Sequence, residues 1–192
     1  SASWKKRIRS RIRLPTLAFM LGQALMSRGT KQDVNRAFEV FSTANLANLP
    51  RELVDPIIIG AIRALVRAEH FAGIASYIAR PEVADSPVMV AAINAYASLE
   101  QALHPQTGHF LDATIAARQP TDTRSATDFL ARILLEAGRL SDALPLLQEL
   151  FDAQTPNFDV GLLLNCAGRL DTDKVLWDTC HAIFASDIRG RE

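Results

Sequence analysis

Apolar residues recur along the chain at the spacing of one face of an α-helix. Four stretches show apolar side chains at intervals of three and four residues: Val34, Ala37, Phe38 and Phe41; Ile58, Ile62, Leu65 and Val66; Leu144, Leu147, Leu150 and Phe151; and Leu176, Cys180, Ile183 and Phe184. This spacing indicates amphipathic helices, whereas the alternation typical of a half-buried strand is not sustained anywhere in the sequence. The pattern therefore predicts an all-α fold.

Prolines and glycines divide the helical pattern into short segments. They predict about ten helices joined by short links, which favour antiparallel pairs of neighbouring helices. Five such hairpins of roughly 32 to 39 residues fit the chain length. The predicted boundaries are Gly29 after a first helix that begins near Pro15, Pro81 after a short helix of residues 71–79, Pro87 behind a capping Ser86, Gly138, Ser141 as a cap, and Gly168.

One short sequence occurs twice and supports a repeated unit. Ala-Gly-Arg-Leu stands at residues 137–140 and again at 167–170, each time between an apolar and an amphipathic segment. We expect Gly138 and Gly168 to adopt positive φ at the bends, and Ala143 to lie where two paired helices approach closely. Stacked hairpins bury a continuous core, so the pattern predicts a right-handed α-solenoid of about five antiparallel helix-turn-helix repeats.

The balanced charge hides an asymmetry along the chain. The 192 residues contain 21 basic and 21 acidic side chains, but the first acidic residue is Asp33, and eight basic residues precede it. From Asp33 onward 13 basic residues face 21 acidic ones. We therefore divide the chain into a basic N-terminal arm of residues 1–14, a helical-repeat domain of residues 15–186 and a C-terminal tail of residues 187–192.

The fourth hairpin resembles a known group of repeats. Residues 129–151 resemble a tetratricopeptide or pentatricopeptide repeat. The glycine, the alanine five residues later and the following leucines stand at the positions expected for such a repeat. Residues 60–66 and 92–98 are similar to the first helix of a pentatricopeptide repeat. Such a resemblance implies a non-enzymatic adaptor in an organellar RNA-processing or ribonucleoprotein complex, where each repeat reads one base.

The family's base-reading residue is usually Asn, Ser or Thr, in the fifth position of each repeat. In this chain the corresponding positions hold other residue types, namely Ile59, Val90, Asp128 and Phe158. This departure and the acidic body favour the alternative, a tetratricopeptide-like scaffold that binds proteins without RNA contact.

Two sets of residues are candidates for binding RNA or an acidic partner. Six cations stand close together in the N-terminal arm: Lys5, Lys6, Arg7, Arg9, Arg11 and Arg13. They suit phosphate contacts through charge neutralisation and counterion release, although a solvated terminus has the same composition. The second set lies on predicted first helices of hairpins, where it would face a concave groove or only solvent: Arg63, Arg67, Asn94, Ser98 and Arg132.

The sequence contains no motif that indicates catalysis or a cofactor. The four histidines lack metal-ligand spacing, and neither a glycine-rich phosphate loop nor a nucleophile elbow occurs. Asp171 and Asp173 are expected to cap a helix, and Trp177 to belong to the core. We predict neither an enzyme nor a metal site, no small-molecule substrate, and protein subunits and single-stranded RNA as partners.

The expected compartment is intracellular. Cys166 and Cys180 match no zinc or redox spacing and are predicted to be buried free thiols, which favours a reducing environment. The arginine-rich, acid-poor arm resembles a mitochondrial transit peptide in composition, so the mitochondrion is indicated, with the cytoplasm as the alternative. The uncharged runs are too short to cross a membrane as helices, so no membrane partner is expected.

Overall fold

The computed structural model describes residues 15–156 and 158–189, and these residues are all-α. They form eleven helices and no strand, as the hydrophobic pattern predicts. The chain divides into two compact units, Ser1–Ala126 and Thr127–Glu192, and the boundary falls within one helix. The predicted arm of residues 1–14 lies outside the described residues.

In the first unit, each helix packs against its neighbours in sequence. The helices are α1 Pro15–Arg28, α2 Lys31–Ser42, α3 Arg51–Arg67, α4 Ala72–Ile78, α5 Pro81–Ala84, α6 Pro87–Glu100 and α7 His104–Ala117. Helix α1 contacts α2 and α3, α2 contacts α3, and α6 contacts α3, α4, α5 and α7. Pro81 separates the two short helices α4 and α5, which together occupy the place of one longer helix.

The second unit contains the remaining helices. They are α8 Arg124–Glu136, whose first turn belongs to the first unit, α9 Leu140–Asp152, α10 Val160–Arg169 and α11 Asp173–Arg189. Helix α10 packs against both α9 and α11. Ala143 on α9 is fully buried.

The helices recur at a nearly constant interval along the sequence. Helices α1, α3, α6, α8 and α10 begin at residues 15, 51, 87, 124 and 160, so successive starts are 36 or 37 residues apart. One further helix, or the pair α4 and α5, follows each of them before the next start. The interval falls within the 32 to 39 residues expected for each hairpin.

Phe41 is enclosed by two glycines in the core of the first unit. Its side chain, on α2, is fully buried. A Cβ atom built on Gly22 of α1 would lie 2.2 Å from the Phe41 ring, and one built on Gly60 of α3 would lie 2.6 Å from it. Real Cβ atoms do not approach so closely, so the ring fits only because both neighbouring backbones lack a side chain there.

Left-handed residues end four of the five recurring helices by the same hydrogen bonds. Glu69, Ala102, Gly138 and Asp171 have φ between 55° and 74°. After each of them, the next backbone N–H donates to the carbonyl five residues before it, as in the Schellman motif. Gly138 behaves as predicted. Gly168 does not, because it lies inside α10 and the left-handed position falls on Asp171 instead.

Two predicted helix starts have different outcomes. Ser86 stands at the N-cap of α6 with Pro87 in the first turn, as predicted, although the serine side chain makes no capping hydrogen bond. The predicted cap at Ser141 is wrong, because α9 begins one residue earlier, at Leu140, behind Arg139. Arg139 Nε donates to Asp142 Oδ2 at 2.7 Å, and this pair spans the first turn.

A buried carboxylate connects three segments of the first unit. The Asp55 side chain on α3 lies 2.5 Å from Arg51 Nη2, and Thr123 Oγ1 donates to Asp55 Oδ2 at 2.6 Å. Arg51 Nη1 also donates to the carbonyl of Glu82 at 2.6 Å. Burial raises the pKa of Asp55 above its ordinary value of 3.8, while the Thr123 hydroxyl and the Arg51 charge oppose that rise. The network fixes α5 and the segment before α8 to the start of α3.

Candidate functional site

The predicted groove residues of the first unit lie on two helices that pack against each other. Arg63 and Arg67 lie one turn apart on α3, and Asn94 lies on α6, which packs against α3. Arg67 is exposed, but its Nη1 donates to the carbonyl of Met26 at 3.3 Å. Ser98 was predicted to face the groove and is buried instead, because its position on α6 points into the core. Arg63 and Asn94 are half-buried, so Ser98 is the residue of this set in the first unit that burial removes from a solvent-facing surface.

Arg132 lies in the second unit and has an acidic partner. Its Nε donates to Asp128 Oδ2 at 2.9 Å, one turn away on α8. Asp128 is also one of the four positions that correspond to base-reading residues, and of the others Ile59 is buried. The six cations from Lys5 to Arg13 lie outside the described residues, so their surroundings are not described.

The last helix presents an apolar face that the sequence analysis missed. Trp177 was predicted to lie in the core, but its side chain is 68% exposed. It lies on α11 beside Leu176 and Cys180, and these side chains line a depression of about 570 Å³. Lys174 pairs with Asp178 at 2.5 Å on the same helix. Lys174 and Asp178 stand three residues before and one residue after Trp177. These charged residues were the signal in the sequence that this face is exposed to solvent.

His181 supports the orientation of the exposed tryptophan. The two ring centroids are 4.8 Å apart with an interplanar angle of 62°, an edge-to-face arrangement one helical turn along α11. Aromatic pairs favour this geometry, and it restricts the rotation of the indole. A tryptophan whose rotation a neighbouring ring restricts loses less side-chain entropy when a partner covers it.

The first helix also presents apolar side chains to solvent. Leu17, Met20 and Leu21 are exposed at intervals of three and four residues on α1, and Met20 is 62% exposed. The opposite side of the same helix, with Ala18, Gly22 and Leu25, is buried. Helix α1 is therefore apolar around much of its circumference, which is unusual for a helix with one face in water.

Two ionisable side chains, Cys166 and Tyr77, are buried in a way that favours their neutral forms. Cys166 is buried as predicted, its Sγ donates to the Leu140 carbonyl at 3.4 Å, and burial raises its pKa. Burial also raises the pKa of Tyr77 to about 12. A thiol with a raised pKa is a poor nucleophile. Cys180 was predicted to be buried and is only half-buried on α11.

Within residues 15–156 and 158–189, no three His, Cys, Asp or Glu side chains lie close enough to hold a metal ion. Asp171 does not cap a helix as predicted, because it has a left-handed conformation, while Asp173 lies in the first turn of α11. None of the helices in the described part of the chain combines the length and the apolar character that crossing a bilayer requires.

Comparison with known proteins adds no functional information to this arrangement. The chain matches no protein-family model, no curated protein and no solved structure.

Proposed function

We propose that this chain is a non-enzymatic adaptor, a right-handed α-solenoid of about five antiparallel helical hairpins that holds protein subunits in a larger complex. The observation that carries this proposal is the exposed Trp177 beside Leu176 and Cys180 on α11. Tryptophan is enriched among the residues that dominate protein interfaces, and contiguous exposed apolar surface is a mark of such interfaces.

The spacing and the contacts of the helices support a repeated architecture. Helix starts 36 or 37 residues apart suit a hairpin repeat, and the main contacts between helices of the first unit join helices of the same or the adjacent hairpin. In a solenoid each repeat contacts only its neighbours, and its exposed faces are free to bind other proteins. Helices α1 and α11 each present exposed apolar residues that another subunit could cover.

The loss of the exposed tryptophan tests this function. Trp177→Ser is expected to leave the free energy of unfolding within about 0.5 kcal/mol of the native value, because the side chain is mostly in water. It is expected to reduce the capture of specific subunits several-fold when the tagged full chain is recovered from its native cells and analysed by quantitative mass spectrometry. Arg36→Ser, which alters an exposed position on α2, serves as the control and should leave capture unchanged. Equal capture by both variants would contradict the proposal.

A pentatricopeptide-like role with direct RNA contact is the second candidate, and the charge of the arm favours it. Six cations among nine residues would release counterions on binding RNA, with a slope of log affinity against log salt of about −0.7 for each phosphate neutralised on a single strand. The full chain is expected to bind single-stranded RNA far more weakly when the six are replaced by glutamine. Affinity that does not change with salt concentration would rule out this role.

A further inference from the structure

A cleft of about 510 Å³ lies in the second unit, between the end of α9, the start of α10 and Ala182 on α11. Its volume falls in the range of sites that bind small molecules or single side chains. The apolar wall comes from Phe151, Phe158 and Val160 together with Ala182, and the polar groups at the cleft are Asp152, Gln154 and Thr155. Nothing in the function proposed above requires this cleft.

The backbone shapes the cleft and leaves one hydroxyl group without a partner. Gln154 has a φ of 50°, which ends α9, and the Thr155 N–H donates to the Leu150 carbonyl at 3.1 Å. The Phe158 N–H donates to the Thr155 carbonyl at 3.1 Å. The Thr155 Oγ1 atom is buried and has no hydrogen-bond partner among the described residues. Because an unpaired buried hydroxyl is costly, a ligand that supplies a hydrogen bond gains free energy here.

Two aromatic rings define what the cleft can hold. The Phe151 and Phe158 centroids are 6.5 Å apart with an interplanar angle of 55°, and both rings are half-buried. Each therefore keeps part of its surface open, beside the side chains of Val160 and Ala182. This wall suits an aromatic or branched aliphatic side chain, whose burial would remove further apolar area from water.

The negative charge around the cleft favours a positively charged ligand. Asp152 at the cleft is exposed, and residues 127–189 contain ten acidic side chains against five basic ones. Such a surface attracts cations and repels nucleic acid. We propose that the cleft binds a basic peptide segment of a partner protein. An apolar side chain of that segment would lie between Phe151 and Phe158, a neighbouring Lys or Arg would pair with Asp152, and a backbone N–H would donate to Thr155 Oγ1.

This inference rests on the proposed adaptor function, since it names the chemistry of one partner segment. The probe is a short fluorescein-labelled synthetic peptide that alternates leucine and phenylalanine with lysine, and its binding to the full chain is followed by fluorescence anisotropy. We expect saturable binding that weakens as salt concentration rises. Peptides in which glutamine replaces lysine, or serine replaces the apolar residues, are expected to bind at least tenfold more weakly.

Variants of the cleft separate this site from general electrostatic attraction. Phe158→Ala is expected to weaken binding at least tenfold, and Asp152→Asn several-fold with a smaller salt dependence. Asp178→Asn removes the same charge from α11 outside the cleft and should bind like the native chain. Thr155→Val keeps the volume but removes the hydroxyl, so it should weaken binding while thermal stability is retained or increased. This last variant keeps the test decisive if Phe158→Ala unfolds.

Two outcomes would overturn the proposal. One is the absence of saturable peptide binding, and the other is an equal loss of affinity in Asp152→Asn and Asp178→Asn, which would mean that charge alone attracts the peptide. Either result would leave the capture of subunits through Trp177 intact. Loss of that capture effect with peptide binding retained would contradict only the proposed role of the α11 face.

Discussion

Replacing Phe41 with alanine is expected to destabilise the first unit by about 3–5 kcal/mol, the usual cost of emptying a fully buried aromatic site. The ring fills the space between the backbones of α1 and α3 at Gly22 and Gly60. Since α2 supplies this ring, its loss weakens the contacts of three helices together. The expected result is a lower midpoint in urea unfolding followed by circular dichroism, measured on the full chain.

Adding a methyl group to either glycine should also destabilise the unit, by overpacking. Gly22→Ala and Gly60→Ala are each expected to cost at least about 1–3 kcal/mol, because the new Cβ would overlap the Phe41 ring. Combined with Phe41→Ala, the same methyl group would lie in the vacated space, so the double variant should be more stable than the sum of the single effects predicts.

Gly108→Ala is the matched control for these substitutions. Gly108 also lies in a helix, α7, but a Cβ atom there would meet nothing within 4 Å. Because alanine has the higher helix propensity, this change is expected to be neutral or to stabilise by up to about 1 kcal/mol. Additive effects in the double variants, or an equal cost at Gly108, would show that Phe41 does not occupy the space between the two glycines.

Replacing Arg51 with methionine is expected to cost roughly 2–3 kcal/mol at neutral pH. The change leaves the buried Asp55 carboxylate without its cation and removes the hydrogen bond to the Glu82 carbonyl. We place the effect below the ~3–5 kcal/mol typical of a fully buried pair because the Arg51 side chain is 35% exposed. Arg132→Met breaks the half-exposed pair with Asp128 and should cost no more than about 0.5 kcal/mol.

The loss of stability in Arg51→Met is expected to depend on pH. Folding raises the pKa of Asp55 above 3.8, so the folded chain binds this proton more tightly than the unfolded chain does. The contribution of the carboxyl group to stability is therefore greatest below pH 3.8 and falls as the pH rises through the raised pKa. Without Arg51 the pKa rises further, and the deficit should be smaller at acidic than at neutral pH.

Asp55→Asn provides the complementary measurement. The amide stays neutral and still accepts the Thr123 hydrogen bond, so this variant should lose less stability than the native chain between acidic and neutral pH. Added to Arg51→Met, it should recover part of the lost stability, because no buried charge is then left unpaired. If Arg51→Met loses the same stability at every pH, the charge of Asp55 is not the cause of that loss.

The local part of the fold was predictable because it depends on neighbouring residues. The periodicity places the helices, and Pro87 behind Ser86 marks the start of α6 as predicted, because proline fits the first turn of a helix at little cost. Pro81 was predicted only to follow a helix, and it also begins the short helix α5. Contacts between distant segments were not predictable. The partner of Asp55 is Thr123, 68 residues further along the chain, and nothing in either local sequence indicates the other.

The candidate surfaces were harder to predict than the helices. Trp177 and Ser98 were assigned to the wrong sides of their helices, Trp177 because of its residue type and Ser98 because of its polar character and its place on a predicted first helix of a hairpin. A tryptophan suggests a core and a serine suggests solvent, but the rotation of a helix is set by the helices packed against it. The cleft beside Thr155 could not be predicted at all, because it depends on the left-handed backbone at Gln154 and on a residue from α11.

The way in which four of the recurring helices end has a consequence for comparing their sequences. At Glu69, Ala102, Gly138 and Asp171 the chain turns by the same pair of main-chain hydrogen bonds, yet only one of the four residues is glycine. These hydrogen bonds join main-chain atoms, so the turn does not require the same residue type at each of the four positions. A search for glycine at the helix end would therefore find one of the four turns, whereas a search by backbone torsion angles would find all four.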